Sequence, residues 1–130
     1  MSSSLLLTQF LLALKQEKKL LNFTQKRKIY FDVNNYQKAF ILSSIVYSED
    51  SYIPPNILTY IREKKFENPL ETLLKVDPSQ NHVHLKQFIP YDHQKNPRQV
   101  LINFADLALQ YIKILDDLSN DEIFLVKNPL

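Results

Sequence analysis

A chain of 130 residues with 45% apolar and 23% charged side chains has the size and balance of one folded domain, and its formal charge of +2 does not by itself mark a nucleic-acid binder. The absence of cysteine excludes disulfides and thiolate metal sites. The absence of glycine excludes the phosphate-cradling loop, the dinucleotide-binding turn and the G-x-S-x-G nucleophile elbow, which need positive φ or a bare backbone, so an enzyme is not expected.

The first element is a helix from about Ser4 to Leu20, with Ser2-Ser3-Ser4 offering N-caps. Leu7, Phe10, Leu11, Leu14 and Lys18 share a face, and Leu5, Leu6 and Leu12 widen that stripe beyond what one packing surface needs. It does not read as a signal peptide: no positive residue precedes it, Thr8 and Gln9 interrupt it, and Lys15-Gln16-Glu17-Lys18-Lys19 follows at once. No apolar stretch reaches membrane-spanning length, so a cytoplasmic protein is expected.

From Lys28 the period changes to two. Ile29, Phe31 and Val33 alternate with Lys28, Tyr30 and Asp32, Asn34-Asn35 signals a turn, and Lys38 to Tyr47 follows as a second strand, making a hairpin. Glu49-Asp50-Ser51 ends it. Pro54-Pro55 opens a short helix carrying Ile57, Leu58, Tyr60 and Ile61, which Glu67-Asn68-Pro69 closes. Thr72 to Val76 and His82 to Ile89 are strands either side of the polar turn 77–81, and Pro90 to Asn96 is a loop. Asn96-Pro97 starts the last helix, whose apolar residues from Val100 to Leu118 follow an i, i+3, i+4 pattern. Ser119-Asn120-Asp121 is its expected end, and Ile123 to Val126 is a fifth strand or an ordered tail. The expected fold is α+β: one domain over residues 1–130, with an antiparallel sheet of about five strands and three helices. Its order is α-β-β-α-β-β-α with an optional last strand, and the helices lie on one side.

Chemistry is sparse. His82 and His84 lie two apart on a strand, with His93 in the next loop; the pair could ligate a metal, or form the polar face of a strand whose buried face is Val83 and Leu85. Glu49-Asp50, Asp116-Asp117 and Asp121-Glu122 sit at element ends, and no local motif marks a serine as nucleophile. No metal or other cofactor is expected. Lys15, Lys18 and Lys19, then Lys26-Arg27-Lys28, then Arg62, Lys64 and Lys65 form basic clusters interleaved with Glu17, Glu63 and Glu67, as on a solvated face. What remains is surplus apolar surface. Phe40 to Val46 is too continuous for a strand with one face in water, and a surplus of this kind in a small domain marks a protein–protein surface.

The run Leu73-Leu74-Lys75-Val76-Asp77-Pro78, a polar turn, Val83-His84-Leu85-Lys86-Gln87-Phe88-Ile89-Pro90, and then Val100 to Tyr111 resembles the class I type III secretion chaperones, the Tir-chaperone-like family, as does the order of elements. The resemblance implies a bacterial cytoplasmic protein that binds an unfolded segment of a secreted effector or gate protein stoichiometrically and without ATP. It also implies a dimer, with Ile57, Tyr60, Ile61, Leu73 and Leu74 as candidates for its interface. Leu7, Phe10, Leu11, Leu14, Ile29 and Phe31 are the candidates for client-binding grooves, each of them equally readable as plain core. Family members are typically acidic, whereas this chain is mildly basic, which leaves room for a heterodimer with an acidic sister chaperone. The alternative is a basic α+β regulator that binds nucleic acid or the transcription apparatus through the lysine clusters; steep salt dependence would mark it.

Overall fold

In the computed structural model, which describes residues 3–64, 72–92 and 96–127, the alternating stretches pair as two antiparallel hairpins. The first joins β1 (Tyr30–Asn34) to β2 (Ala39–Ser48), and the second joins β3 (Thr72–Asp77) to β4 (His82–Pro90). Side chains do the work of glycine in both turns. The Asn34 carboxamide accepts from the Gln37 backbone N–H at 3.0 Å and donates to Gln37 Oε1 at 3.1 Å. Asp77 Oδ1 accepts from the Ser79 N–H and Oγ at 3.1 and 2.7 Å, a local fold-back open to a short acidic side chain. Positive φ falls on Asn81 (54°), where an asparagine tolerates it, and on Lys38 (51°), not on Asn34 or Asn35.

β2 and β4 pair along their lengths, giving one four-stranded antiparallel sheet in the order β1-β2-β4-β3. The register slips between Ile45 and Tyr47, a bulge at Val46, and both Val46 and Tyr47 are buried as a result. Four helices, α1 (Ser3–Gln16), α2 (Lys18–Lys26), α3 (Pro55–Glu63) and α4 (Pro97–Lys127), contribute to a single core with one face of this sheet. Phe40, Leu42, Val83, Leu85 and Ile89 supply the sheet side; Leu101, Phe104 and Leu115 of α4 lie over them, and the small Ala105 and Ala108 let that helix approach closely. Phe10 of α1 closes one end, edge-on to Phe40 at 5.9 Å and tilted to Phe31 at 5.8 Å. Ile57 of α3 joins the same core, where α3 packs against α4.

The α+β class, the antiparallel sheet and the two hairpins are as expected; the counts differ. The expected first helix is two, broken at Glu17, whose backbone is extended (φ −94°, ψ 116°) and whose carboxylate accepts from Arg98 Nε of α4 at 2.8 Å. The stop at Ser119-Asn120-Asp121 does not operate, and 123–126 belongs to α4, so there is no fifth strand among the described residues. Ser119 is buried, with its Oγ 2.9 Å from the Tyr47 hydroxyl, which in turn donates to Glu49 Oε2 at 3.0 Å. A tertiary partner thus takes up the hydroxyl that would otherwise compete for the helix backbone. Tyr47→Phe should lower stability by about 1 kcal/mol because it strands the buried Ser119 hydroxyl. A thermal melt would show this as a drop of roughly 3 °C.

Candidate protein-binding surface

Direct partners in an antiparallel ladder share a face, so the register maps the side of the sheet turned away from the helices. Its rows across the strands are Asp32, Ile41, Phe88; then Tyr30, Ser43, Lys86, Leu73; then Ile45, His84, Lys75; then Ser48, His82, Asp77. Ile41, Ile45, Leu73 and Phe88 are only half-buried, and none belongs to the core or packs against it. Four large apolar side chains on one open sheet face exceed what an isolated half-wet strand pair carries.

The face is graded in charge. Ile41 and Phe88 stand at one end, with Asp32 beside them on the edge strand, whereas Lys75, His84 and Lys86 crowd the corner where β3 meets β4, around a depression of about 330 Å³ also lined by Val76, Asp77 and Pro78. Among the described residues neither Lys75 nor Lys86 has an ion-pair partner, and the Asp77 carboxylate is engaged by Ser79. Burial lowers the pKa of His84; Lys86, His82 and Lys75 push the same way, against the opposing pull of Asp77. The sign for stability follows. An unfolded chain protonates this imidazole near its usual pKa of 6.5, and the folded chain resists, so stability is full above that pH and falls as pH drops through it. Urea midpoints at successive pH values should therefore decline more gently on the acid side in His84→Gln than in the unsubstituted chain.

The His82 and His84 rings are 5.9 Å apart on this same face, but among the described residues no third ligand joins them; His93 lies outside those residues. A second concavity, of about 380 Å³, lies between α1 and the start of α4, with the exposed Leu12 beside Gln9, Gln16 and Arg98. Of the basic residues singled out, Lys64 sits over the Tyr111 ring at 5.5 Å, Lys28 over Tyr30 at 5.8 Å, and Lys15 and Lys18 are exposed on α1 and α2, while Lys65 lies outside the described residues.

The residues singled out from sequence fall in several places. Phe10 and Ile29 are core, and Leu7, Leu14 and Phe31 pack against it, so these five gather at the α1–β1 side of one cluster; Leu11, 45% exposed, is the member turned to the surface. Ile57 is wholly buried under α3, with Tyr60 and Ile61 half-buried at the core margin beside it. Leu74 points into the core, and Leu73 points to the opposite, open face next to Lys86, so the structure does not bring α3 and Leu73 onto one surface. Ile41, Ile45, Phe88, Lys75 and Lys86 were not singled out. The signal for the first two was in hand, in a run from Phe40 to Val46 that is too continuous for one buried face.

Among the described residues no helix is long and apolar enough to cross a membrane. No protein-family model matches the chain, and neither a curated protein nor a solved structure is similar to it.

Proposed function

We propose that this chain is a protein-binding chaperone of the type III secretion kind, one that holds an unfolded segment of a secreted effector or gate protein in the bacterial cytoplasm without ATP. The observation that carries this proposal is the one-sided sheet: helices cover one face, and Ile41, Ile45, Leu73 and Phe88 stand half-exposed on the other. The edge strands β1 and β3 add rows of main-chain groups to which an extended segment can pair. The order of elements, helix, hairpin, short helix, hairpin, long helix, also fits, with the first helix divided at Glu17. Binding of this kind is stoichiometric and non-enzymatic.

In this role the chain pairs with itself or with a sister chaperone. Of the interface candidates, Tyr60 and Ile61 keep surface on α3 with Ile57 buried beside them, whereas Leu74 is core and Leu73 lies on the open sheet face, away from α3. Along α1 and β1, Leu7, Leu11, Leu14 and Phe31 keep exposed area for a client, over Phe10 and Ile29 beneath.

The test is the mass of the chain in solution by light scattering, alone and after co-expression with secreted proteins of the source bacterium. A dimer, or a defined complex with a secreted or sister protein that forms without nucleotide, is expected. A chain that stays at its monomer mass of 15.4 kDa and captures none of them overturns the proposal.

A further inference from the structure

The open sheet face is not uniformly apolar. Lys86 and Leu73 stand opposite each other in one row, and His84 and Lys75 in the next; rows two residues apart along a strand are separated by roughly 7 Å, so Lys75, His84 and Lys86 form a tight group of basic side chains. Like charges in adjacent ladder positions repel, and Asp77 offsets these three basic groups only in part. Asp77, the nearest acid, lies one row further on and has its carboxylate turned to Ser79. The depression of about 330 Å³ between these groups is large enough for a carboxylate-bearing side chain. Ile41 and Phe88 lie one row from Lys86 and two rows from His84 and Lys75, about 7 and 13 Å along the strands, within the span of one short peptide.

We infer that the open face docks an acidic segment of a partner protein, whose apolar side chains lie on Ile41, Ile45, Leu73 and Phe88 while its carboxylates enter the corner formed by Lys75, His84 and Lys86. This rests on the protein-binding role proposed above and names the chemistry of what is bound. The partner's carboxylates supply the counter-charge that Asp77 alone does not complete, and the apolar contacts supply most of the affinity. Charge then decides which partner is accepted. The groups facing His84 are Lys86 and His82 from β4 and Lys75 and Asp77 from β3, while β2 presents the uncharged Ile45 and Ser43, so a bound carboxylate also favours the protonated imidazole.

The probe is a blocked peptide of about ten residues, the length of a long strand, with alternating Leu and Glu; its counterpart alternates Leu and Lys. Each is titrated into the isotope-labelled full chain and followed by amide chemical shifts. The Leu/Glu peptide should shift signals in β2, β3 and β4, weaken as salt rises, and bind about tenfold less tightly to the Lys75→Glu, Lys86→Glu double variant. That variant should prefer the Leu/Lys peptide, and Lys75→Gln with Lys86→Gln should discriminate against neither. Equal binding of both peptides to the unsubstituted chain, shifts confined to α1 and α4, or unchanged affinity in the double variant overturns the inference. So does a concentration-dependent shift of the same rows without peptide, which would place a second copy there. A secreted protein that still co-purifies with the charge-reversed variant overturns acidic docking while leaving the chaperone role standing. Peptide binding as expected, with no secreted protein ever captured, supports acidic docking and removes the chaperone role.

Discussion

Phe10→Ala is expected to lower the free energy of unfolding by about 3–5 kcal/mol, whereas Leu11→Ala, one residue along the same helix, should change it by less than about 0.5 kcal/mol. Phe10 is 1% exposed and packs its ring against Phe31 and Phe40; Leu11 is 45% exposed. Truncating Phe10 removes its transfer free energy, leaves a cavity bounded by two other rings, and unties α1 from the sheet. Domains of this size are stable by about 5–15 kcal/mol in all, so the loss takes a large share. Urea unfolding measures it directly through the midpoint. The pair also separates core from groove among the α1 residues. If Phe10→Ala leaves stability unchanged and abolishes capture of a secreted protein, Phe10 is a client contact and the core does not depend on it.

Phe88→Thr, alone and with Ile41→Thr, should have the opposite profile. Both side chains lie on the open face, outside the core, so the single change should cost about 1 kcal/mol or less of stability; threonine is β-branched and keeps the strand preference. Binding should suffer far more. A central apolar anchor is worth about 2 kcal/mol or more at an interface, which is roughly 30-fold in affinity for Phe88 alone. The measurement is a titration of each variant with a co-purified partner or with the Leu/Glu peptide, beside a melt of the same sample. Unchanged affinity in the double variant would mean that partners dock at the edges or on α1, not on this face.

Much of the fold was legible because it depends on neighbours in sequence. Alternation at Ile29–Phe31–Val33, the Asp77-Pro78-Ser79 turn and the spacing of Val100, Phe104, Ala108, Tyr111 and Leu115 each specify an element whatever surrounds it. What was missed is tertiary. Lys15 to Lys19 are all good helix formers, and the break at Glu17 coincides with a bond to Arg98, far away in sequence. Ser119-Asn120-Asp121 has the composition of a helix end, but Tyr47 occupies the serine. The candidate surface was half legible. A wide apolar stripe reveals excess hydrophobicity without assigning it to inside or outside, so Phe10 and Ile57 could not be told from surface residues. Ile41 and Ile45 emerge as surface only once the register places them beside Phe88 and His84.

The order of strands in the sheet has a kinetic consequence. Each hairpin closes through its own short turn, a microsecond event, but the β2–β4 seam joins strands on opposite sides of α3 and pays the entropy of a much larger loop. Assembly is therefore gated by the docking of two ready-made hairpins, and α4, last in the chain, seals the product by packing against β2 and adding Leu101 and Phe104 to the shared core. During synthesis β2 emerges well before β4. For that interval β2 is paired with β1 on one edge only, and Phe40, Leu42 and Ile45 leave its open edge apolar on both faces, the part of this chain most exposed to mispairing with a neighbour on the same message.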